Sequence, residues 1–293
     1  MTDYQAQCEA RLLEGQWDQA QQAALAWARH PATGTDRDAR PYFALNVIQL
    51  LRGEFAEAWK IHSKCLEEPE DIAQVKEWIE GFVARQPEQA NAHLVMGLFL
   101  AQSGQSEQSI APYKETIKLA PQSAHPHYFL AQIHERANHL EMAIKEYRET
   151  VRLDPSHAPA RTNLGVAYQE QGRLEMAIPQ YREVIKLKPN DAIAHANLAC
   201  ALAEQGKFEP ALQSYKEALR LNPKDAAVHF SLGDFYETRG RLDLAQKEYD
   251  AALVADPNFG PAHCAIGWLE LAKQHMQAAY EAFNRALKAN DQD

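Results

Sequence analysis

A single interval governs this chain. The stretch ARTNLGVAYQEQGRLEMAIPQYREVIKLKP at 160–189 returns as ANLACALAEQGKFEPALQSYKEALRLNP at 196–223 and as FSLGDFYETRGRLDLAQKEYDAALVADP at 230–257. The same pattern runs back through YFLAQIHERANHLEMAIKEYRETVRLDP at 128–155 and LVMGLFLAQSGQSEQSIAPYKETIKLAP at 94–121, and more weakly forward to the last residues. The period is 34 residues, and six such units tile 90–293 without an insertion. A unit this short cannot bury its own apolar face, so the units must stack on one another and share a continuous core.

The recurring residues indicate how each unit folds. A small residue comes early (Gly97, Ala131, Gly165, Ala199, Gly233, Gly267) and another twelve positions later (Ser109, Ala143, Ala177, Ala211, Ala245, Ala279). Facing one another, these let two helices approach closely. The aromatics Tyr113, Tyr147, Tyr181, Tyr215, Tyr249 and Phe283 are expected to fill the seam between neighbouring units. Gly104, Asn138, Gly172, Gly206 and Gly240 fall between the helices, where a left-handed residue ends a helix. Pro121, Pro155, Pro189, Pro223 and Pro257 then break the second helix.

On these residues the chain resembles the tetratricopeptide repeat (TPR) family, whose unit is two antiparallel helices. The resemblance implies an all-α fold, a right-handed α-solenoid or superhelix of helix-turn-helix units. Two weaker units are expected over 1–72, one around Gly15 with Trp17, Ala20 and Trp27 buried, the other around Gly53 with Phe55, Ala58 and Leu66. The polar segment PATGTDRD, 31–38, joins them. The stretch DIAQVKEWIEGFVARQP, 71–87, supplies one extra helix with Ile72, Val75, Ile79, Phe82 and Val83 on an apolar stripe, so that 73–89 forms a single-helix junction.

Two features invite a chemical reading. HERANH, 134–139, looks like a damaged zinc-protease box, but that motif needs its histidines four residues apart on one helix face. His134 and His139 are five apart, which turns them about 140° from each other on a helix, and Asn138 between them occupies the turn slot. A ladder of histidines, His93, His127, His195, His229 and His263, holds the fourth position of its units, interrupted by Arg161. Stacked helices lie about 8–10 Å apart while Zn–N bonds are about 2 Å, so these rings read as packing residues. No phosphate loop, nucleophile elbow or zinc spacing is present. No catalytic residue, metal site or cofactor is expected, and the chain reads as not an enzyme.

The formal net charge is -10 and the pI near 5.7. Nucleic acid and anionic membrane surfaces both favour a basic face, so neither is an expected partner. No apolar run approaches the roughly 20 residues that span a bilayer. The first residues lack a signal core, and Cys8, Cys65, Cys200 and Cys264 have no CxxC spacing. A cytoplasmic location with reduced thiols is expected.

In the TPR family the first helix of each unit lines a concave groove that takes an extended peptide or a partner helix. Carried onto this chain, the groove positions point to Tyr128, Gln132, Asn163, Asn197, Phe230, Asp234, Glu237, Trp268 and Leu271 as peptide-binding residues. Asn163 and Asn197 on successive rungs resemble the asparagine ladder in the TPR superhelix of O-linked N-acetylglucosamine transferases, where an amide offers the donor and acceptor a peptide backbone needs. The lysines and arginines with which chaperone-binding members grip a terminal carboxylate are missing. Phe230, Trp268 and Leu271 beside Asp234 and Glu237 would suit a partner segment with an apolar anchor and nearby basic residues.

The last unit ends without a polar capping helix, so Tyr280, Phe283 and Leu287 are expected self-association residues in a homo-oligomer. The resulting expectation is a protein–protein adaptor. The alternatives are a self-assembling scaffold similar to magnetosome-associated TPR proteins, or a regulatory or substrate-recruiting subunit of a separate enzyme such as a glycosyltransferase.

Overall fold

The computed structural model describes residues 3–29, 38–51 and 69–290. Among them all regular structure is helical. The N-terminal helices are α1 (Asp3–Leu13), α2 (Trp17–Arg29), α3 (Arg40–Leu51) and α4 (Pro69–Arg85). Six helix pairs follow: α5 (Ala90–Gln102) and α6 (Ser106–Leu119), α7 (His125–Arg136) and α8 (Leu140–Leu153), α9 (Ala158–Glu170) and α10 (Leu174–Leu187), α11 (Ala192–Glu204) and α12 (Phe208–Leu221), α13 (Ala226–Glu237) and α14 (Leu242–Ala255), and α15 (Gly260–Ala272) and α16 (Met276–Asn290). The chain forms two compact units, Met1–Ala160 and Arg161–Asp293, whose border falls inside α9.

The helix ends obey the repeat. Gly104, Gly172, Gly206 and Gly240 have φ between +69° and +81°, and Asn138 has +57°. Past each of these residues an N–H reaches back to the carbonyl five residues earlier: Arg173 donates to Tyr168 and Lys207 to Leu202, each at 2.8 Å. This closes the orphan carbonyls of the first helix. In the sixth pair the same place is held by Gln274 at φ +63°, with His275 N–H donating to Glu270 O at 2.9 Å. The second helices α8, α10, α12 and α14 stop two residues before Pro155, Pro189, Pro223 and Pro257, as a ring that restricts its predecessor demands.

The aromatics reach the seam between units, as expected, and also pack on their own unit. Four of the rings lie across the early glycine of their own unit: a Cβ added to Gly97, Gly165, Gly233 or Gly267 would come within 2.4–2.6 Å of Tyr113, Tyr181, Tyr249 or Phe283. Rings also reach the next unit, as where Tyr113 stacks on Phe129 at 5.7 Å and Tyr215 meets Phe235 at 5.7 Å. The reason is volume: glycine on the first helix leaves a depression the size of a ring edge, and the ring fills it. Tyr113, Tyr147, Tyr181 and Tyr249 are all but completely buried.

The histidine ladder bonds as well as packs. The Nε2 atoms of His93, His195, His229 and His263 lie 2.7–3.1 Å from the carbonyl oxygens of Pro87, Pro189, Pro223 and Pro257, each six residues earlier. His127 and His229 also meet Glu146 and Glu248 through Nδ1 at 2.6 and 2.8 Å. The ring therefore satisfies a carbonyl that the proline turn leaves without a helical partner.

In the N-terminal helices Gly15 has φ +70°, Ala20 and Trp27 are fully buried, and Trp17 is half-buried. On α4, Val75, Ile79 and Phe82 are buried and Ile72 and Val83 half-buried. This helix packs against α3 and α5, and its Trp78 donates to Glu9 of α1 at 2.7 Å and meets Trp27 edge-on at 5.5 Å. Gly53, Phe55, Ala58 and Leu66 lie outside the described residues. We propose 73–89 as the junction between two divergent units over 1–72 and the six regular ones over 90–293.

Candidate functional site

The first helices of the repeats carry the residues expected to meet a partner. In the unit Met1–Ala160, Tyr128 of α7 is only 3% exposed. Its ring sits 5.4 Å from Phe129 and 4.7 Å from His157, so it serves packing and presents little face to a ligand. Gln132, one turn on, is half-buried and donates to the Tyr128 hydroxyl at 3.2 Å.

The unit Arg161–Asp293 holds the remaining candidates. Asn163 of α9 and Asn197 of α11 are half-buried. Phe230 of α13 is half-buried against Tyr249 and Phe259, with ring centroids 5.6 and 5.8 Å away. Asp234 is exposed, and Glu237 half-buried. Trp268 of α15 is 61% exposed and touches Phe283 edge-on at 5.2 Å, and Leu271 is 36% exposed. On α16, Tyr280 and Leu287 are 63% and 64% exposed while Phe283 is half-buried under Trp268.

Glu237 turns out to have a task inside its own unit. The Tyr249 hydroxyl donates to it at 2.6 Å, as Tyr147 does to Glu135 at 2.8 Å and Tyr181 to Gln169 at 3.0 Å. One position of the first helix thus supplies the acceptor for the tyrosine of the second. Where that position is Ala203, the Tyr215 hydroxyl turns to Cys200 Sγ at 3.4 Å. Where it is Ala101, the buried Tyr113 hydroxyl has no partner among the described residues. Where it is Leu271, the ring is Phe283 and no hydroxyl needs satisfying. Burial, with the bond to Glu237 next, pushes the Tyr249 phenol up, and burial alone does so for Tyr113.

Sequence reasoning missed a cleft of about 450 Å³ bounded by α11, α12 and α13. Glu204, Asp234, Phe208, Phe230, Phe235 and Arg239 are among its lining residues. The Arg239 guanidinium is held between two phenyl rings, 3.7 Å from Phe208 and 3.8 Å from Phe235, and donates to Phe235 O at 2.6 Å and Thr238 Oγ1 at 2.9 Å. Desolvation, with Glu237 as a second cause, raises the Asp234 carboxyl above its usual range. A signal for this site was present: Phe208 stands where other units have Leu140, Leu174 and Leu242, and Arg239 where they have Ala137, Gln171 and Gln205. Two departures from the repeat meet at one place.

Charge is divided between the helices. In the unit Arg161–Asp293, the first helices α11, α13 and α15 contain Glu204, Asp234, Glu237 and Glu270 and no lysine or arginine. On the second helices, glutamates are paired three residues on, Glu183 with Lys186 at 2.5 Å and Glu217 with Arg220 at 2.7 Å. At HERANH, the rings of His134 and His139 are 6.3 Å apart, the second lying beyond the end of α7. Among the described residues no three His, Cys, Asp or Glu side chains converge as a metal site, and no helix is long and apolar enough to cross a membrane.

Comparison with known proteins gives a consistent picture. A sequence model of the family described as the cilia and flagella-associated protein 70 C-terminal domain, a TPR family, matches residues 20–293. Among solved structures, the chain is similar to YrrB, described as a TPR protein with an unusual peptide-binding site, at TM-score 0.56 and 18% identity over 63% of this chain and 95% of that one. It is similar to Cut9 in the APC/C hetero-tetramer Cut9–Hcn1 at TM-score 0.59 and 18% identity, over 94% of this chain and 57% of that one. It also resembles MamA from Desulfovibrio magneticus RS-1, at TM-score 0.55 and 18% identity, over 58% of this chain and 96% of that one. These likenesses establish the fold, an all-α array of TPR helix pairs. No curated protein sequence matches the chain.

Proposed function

Because this chain belongs to the family of the cilia and flagella-associated protein 70 C-terminal domain, a TPR family, we propose that it is a non-enzymatic adaptor that grips an extended segment of a partner protein along its first helices. TPR folds serve protein–protein interaction in general; the finer reading rests on Trp268. An indole 61% exposed on a first helix forgoes most of the burial that stabilises a folded chain. Large rings left open in this way are the anchors that dominate interfaces. Asn163 and Asn197 supply amides for a peptide backbone, and the acids near Phe230 suit basic residues beside an apolar anchor.

The test begins with a partner captured from native lysate and narrowed to a minimal peptide. Trp268→Ala is expected to weaken that peptide about tenfold, or about 1.4 kcal/mol, in isothermal titration calorimetry. The thermal midpoint by circular dichroism stays where it was. A large loss of helicity on the same substitution would make Trp268 part of the core and remove the anchor.

A second reading is favoured by α16. Met276, Tyr280 and Leu287 are 63–68% exposed along one side of that helix, whereas of the five counterparts of Tyr280 in earlier units Ile144 and Ile178 are buried and Ile110, Leu212 and Gln246 half-buried. A second copy of the chain could cover this face. Light scattering across a range of protein concentrations is then expected to show a mass rising above that of one chain, and Tyr280→Asp with Leu287→Asp to abolish the rise. A single-chain mass at every concentration rules the reading out.

A further inference from the structure

We propose that the cleft between α11, α12 and α13 receives a lysine or arginine side chain of the bound partner, with Asp234 and Glu204 as its counter-charges and Phe230 against an apolar neighbour in the same segment. This rests on the reading of the first helices as the binding face and names the chemistry that face selects.

Three observations carry it. First, the acids are uncompensated. Asp234 has no hydrogen-bond or ion-pair partner among the described residues, Glu204 accepts only from the Gln169 amide at 2.5 Å, and Glu237 only from the Tyr249 hydroxyl. The one cation in the cleft does not answer them, because Arg239 directs its hydrogen bonds to a backbone carbonyl and a threonine hydroxyl. Second, the same molecule pairs glutamates routinely elsewhere: Glu115, Glu149, Glu183 and Glu217 each meet a lysine or arginine three residues on. The first helices α11 and α13 have neither residue to offer, and no lysine or arginine of the described residues pairs with Asp234 or Glu204, which leaves both open to a cation of the partner.

Third, the place is shaped as well as charged. A cleft of about 450 Å³ falls in the range of roughly 300–1,000 Å³ typical of ligand pockets. The faces of Phe208 and Phe235 are taken up by Arg239, which ties that wall together, and Phe230 adds apolar surface to the lining that Asp234 shares. Desolvation around Asp234 and the nearness of Glu237 raise its carboxyl above the usual range, a shift that an incoming cation opposes. A carboxylate pair next to apolar surface selects against acidic segments as strongly as it favours basic ones.

The experiment uses the full chain and three fluorescein-labelled decapeptides of alternating lysine–leucine, serine–leucine and glutamate–leucine, followed by fluorescence anisotropy. The lysine–leucine peptide is expected to bind at least about tenfold more tightly than the serine–leucine peptide, and the glutamate–leucine peptide more weakly than either. Asp234→Asn and Glu204→Gln each reduce the lysine–leucine affinity about three- to tenfold and leave the serine–leucine affinity unchanged. Asp243→Asn, which removes the same charge from the exposed start of α14, has no effect; an equal loss with it would mean bulk charge attraction and overturn the cleft. If Asp234→Asn and Glu204→Gln are silent while Trp268→Ala weakens the lysine–leucine peptide, the cleft is excluded and the binding face stands. If none of the peptides binds, or Trp268→Ala is silent too, both fall.

Discussion

Gly165→Val is expected to cost about 3 kcal/mol and to lower the thermal midpoint by roughly 10 °C, the upper end of what overpacking a tight contact does. A Cβ at Gly165 would lie 2.5 Å from Cε1 of Tyr181, a fully buried ring. Valine adds two further carbons that the ring must clear, on a helix whose partner is already in contact. Gly165→Ala is the informative control. Ala131 and Ala199 hold the same place in their units, with Tyr147 and Tyr215 still 0% and 2% exposed, so a small shift of the helix pair accommodates one methyl group. Alanine also gains up to about 1 kcal/mol of helix propensity over glycine. The alanine variant should therefore stay within about 1 kcal/mol of the parent. Thermal and denaturant unfolding followed by far-UV circular dichroism measures both. A valine variant as stable as the parent would mean that the ring does not rest on the glycine.

Removing a hydroxyl should have opposite effects in two equivalent places. Tyr249→Phe takes away a donor to a carboxylate and is expected to cost about 2 kcal/mol, in the range for hydrogen bonds to charged groups. Tyr113→Phe removes a buried hydroxyl that has no partner among the described residues, and is expected to leave stability unchanged or raise it by about 1 kcal/mol. The two substitutions delete the same atom from the same repeat position. Only the acceptor differs, Glu237 in one unit and Ala101 in the other. Denaturant unfolding of both variants is the check, and equal costs would show that the first helix contributes nothing to the tyrosine.

The tyrosine position also shows what could be read from the sequence and what could not. The period announced paired helices, turns and breaks, because proline, glycine and alternating apolar residues act locally and repeat faithfully. It could not say which neighbour an aromatic touches first. That is settled by the depth of the depression above a glycine, a property of two helices together, so rings expected between units also lie on their own. The position of Glu237 looked like wall for the same reason: its bond to Tyr249 spans twelve residues and two helices. Tyr128, projected onto the binding surface by family position, is buried because Phe129 and His157 close over it. The cleft at Asp234 escaped notice since reading by repeat averages away the very positions, Phe208 and Arg239, that make one unit unlike the rest. The exposure of Trp268 was legible because nothing in the packing rules asks for an indole there.

The turns hold a last consequence. At Gly104, Gly172, Gly206 and Gly240 a Cβ would meet no atom within 4 Å, yet φ is positive at each. What these places refuse is handedness and not bulk. A mirror-image alanine introduced at Gly172 by chemical ligation would find a backbone shape native to its own chirality, and by narrowing the freedom of the unfolded chain it would hold the turn more firmly than glycine does.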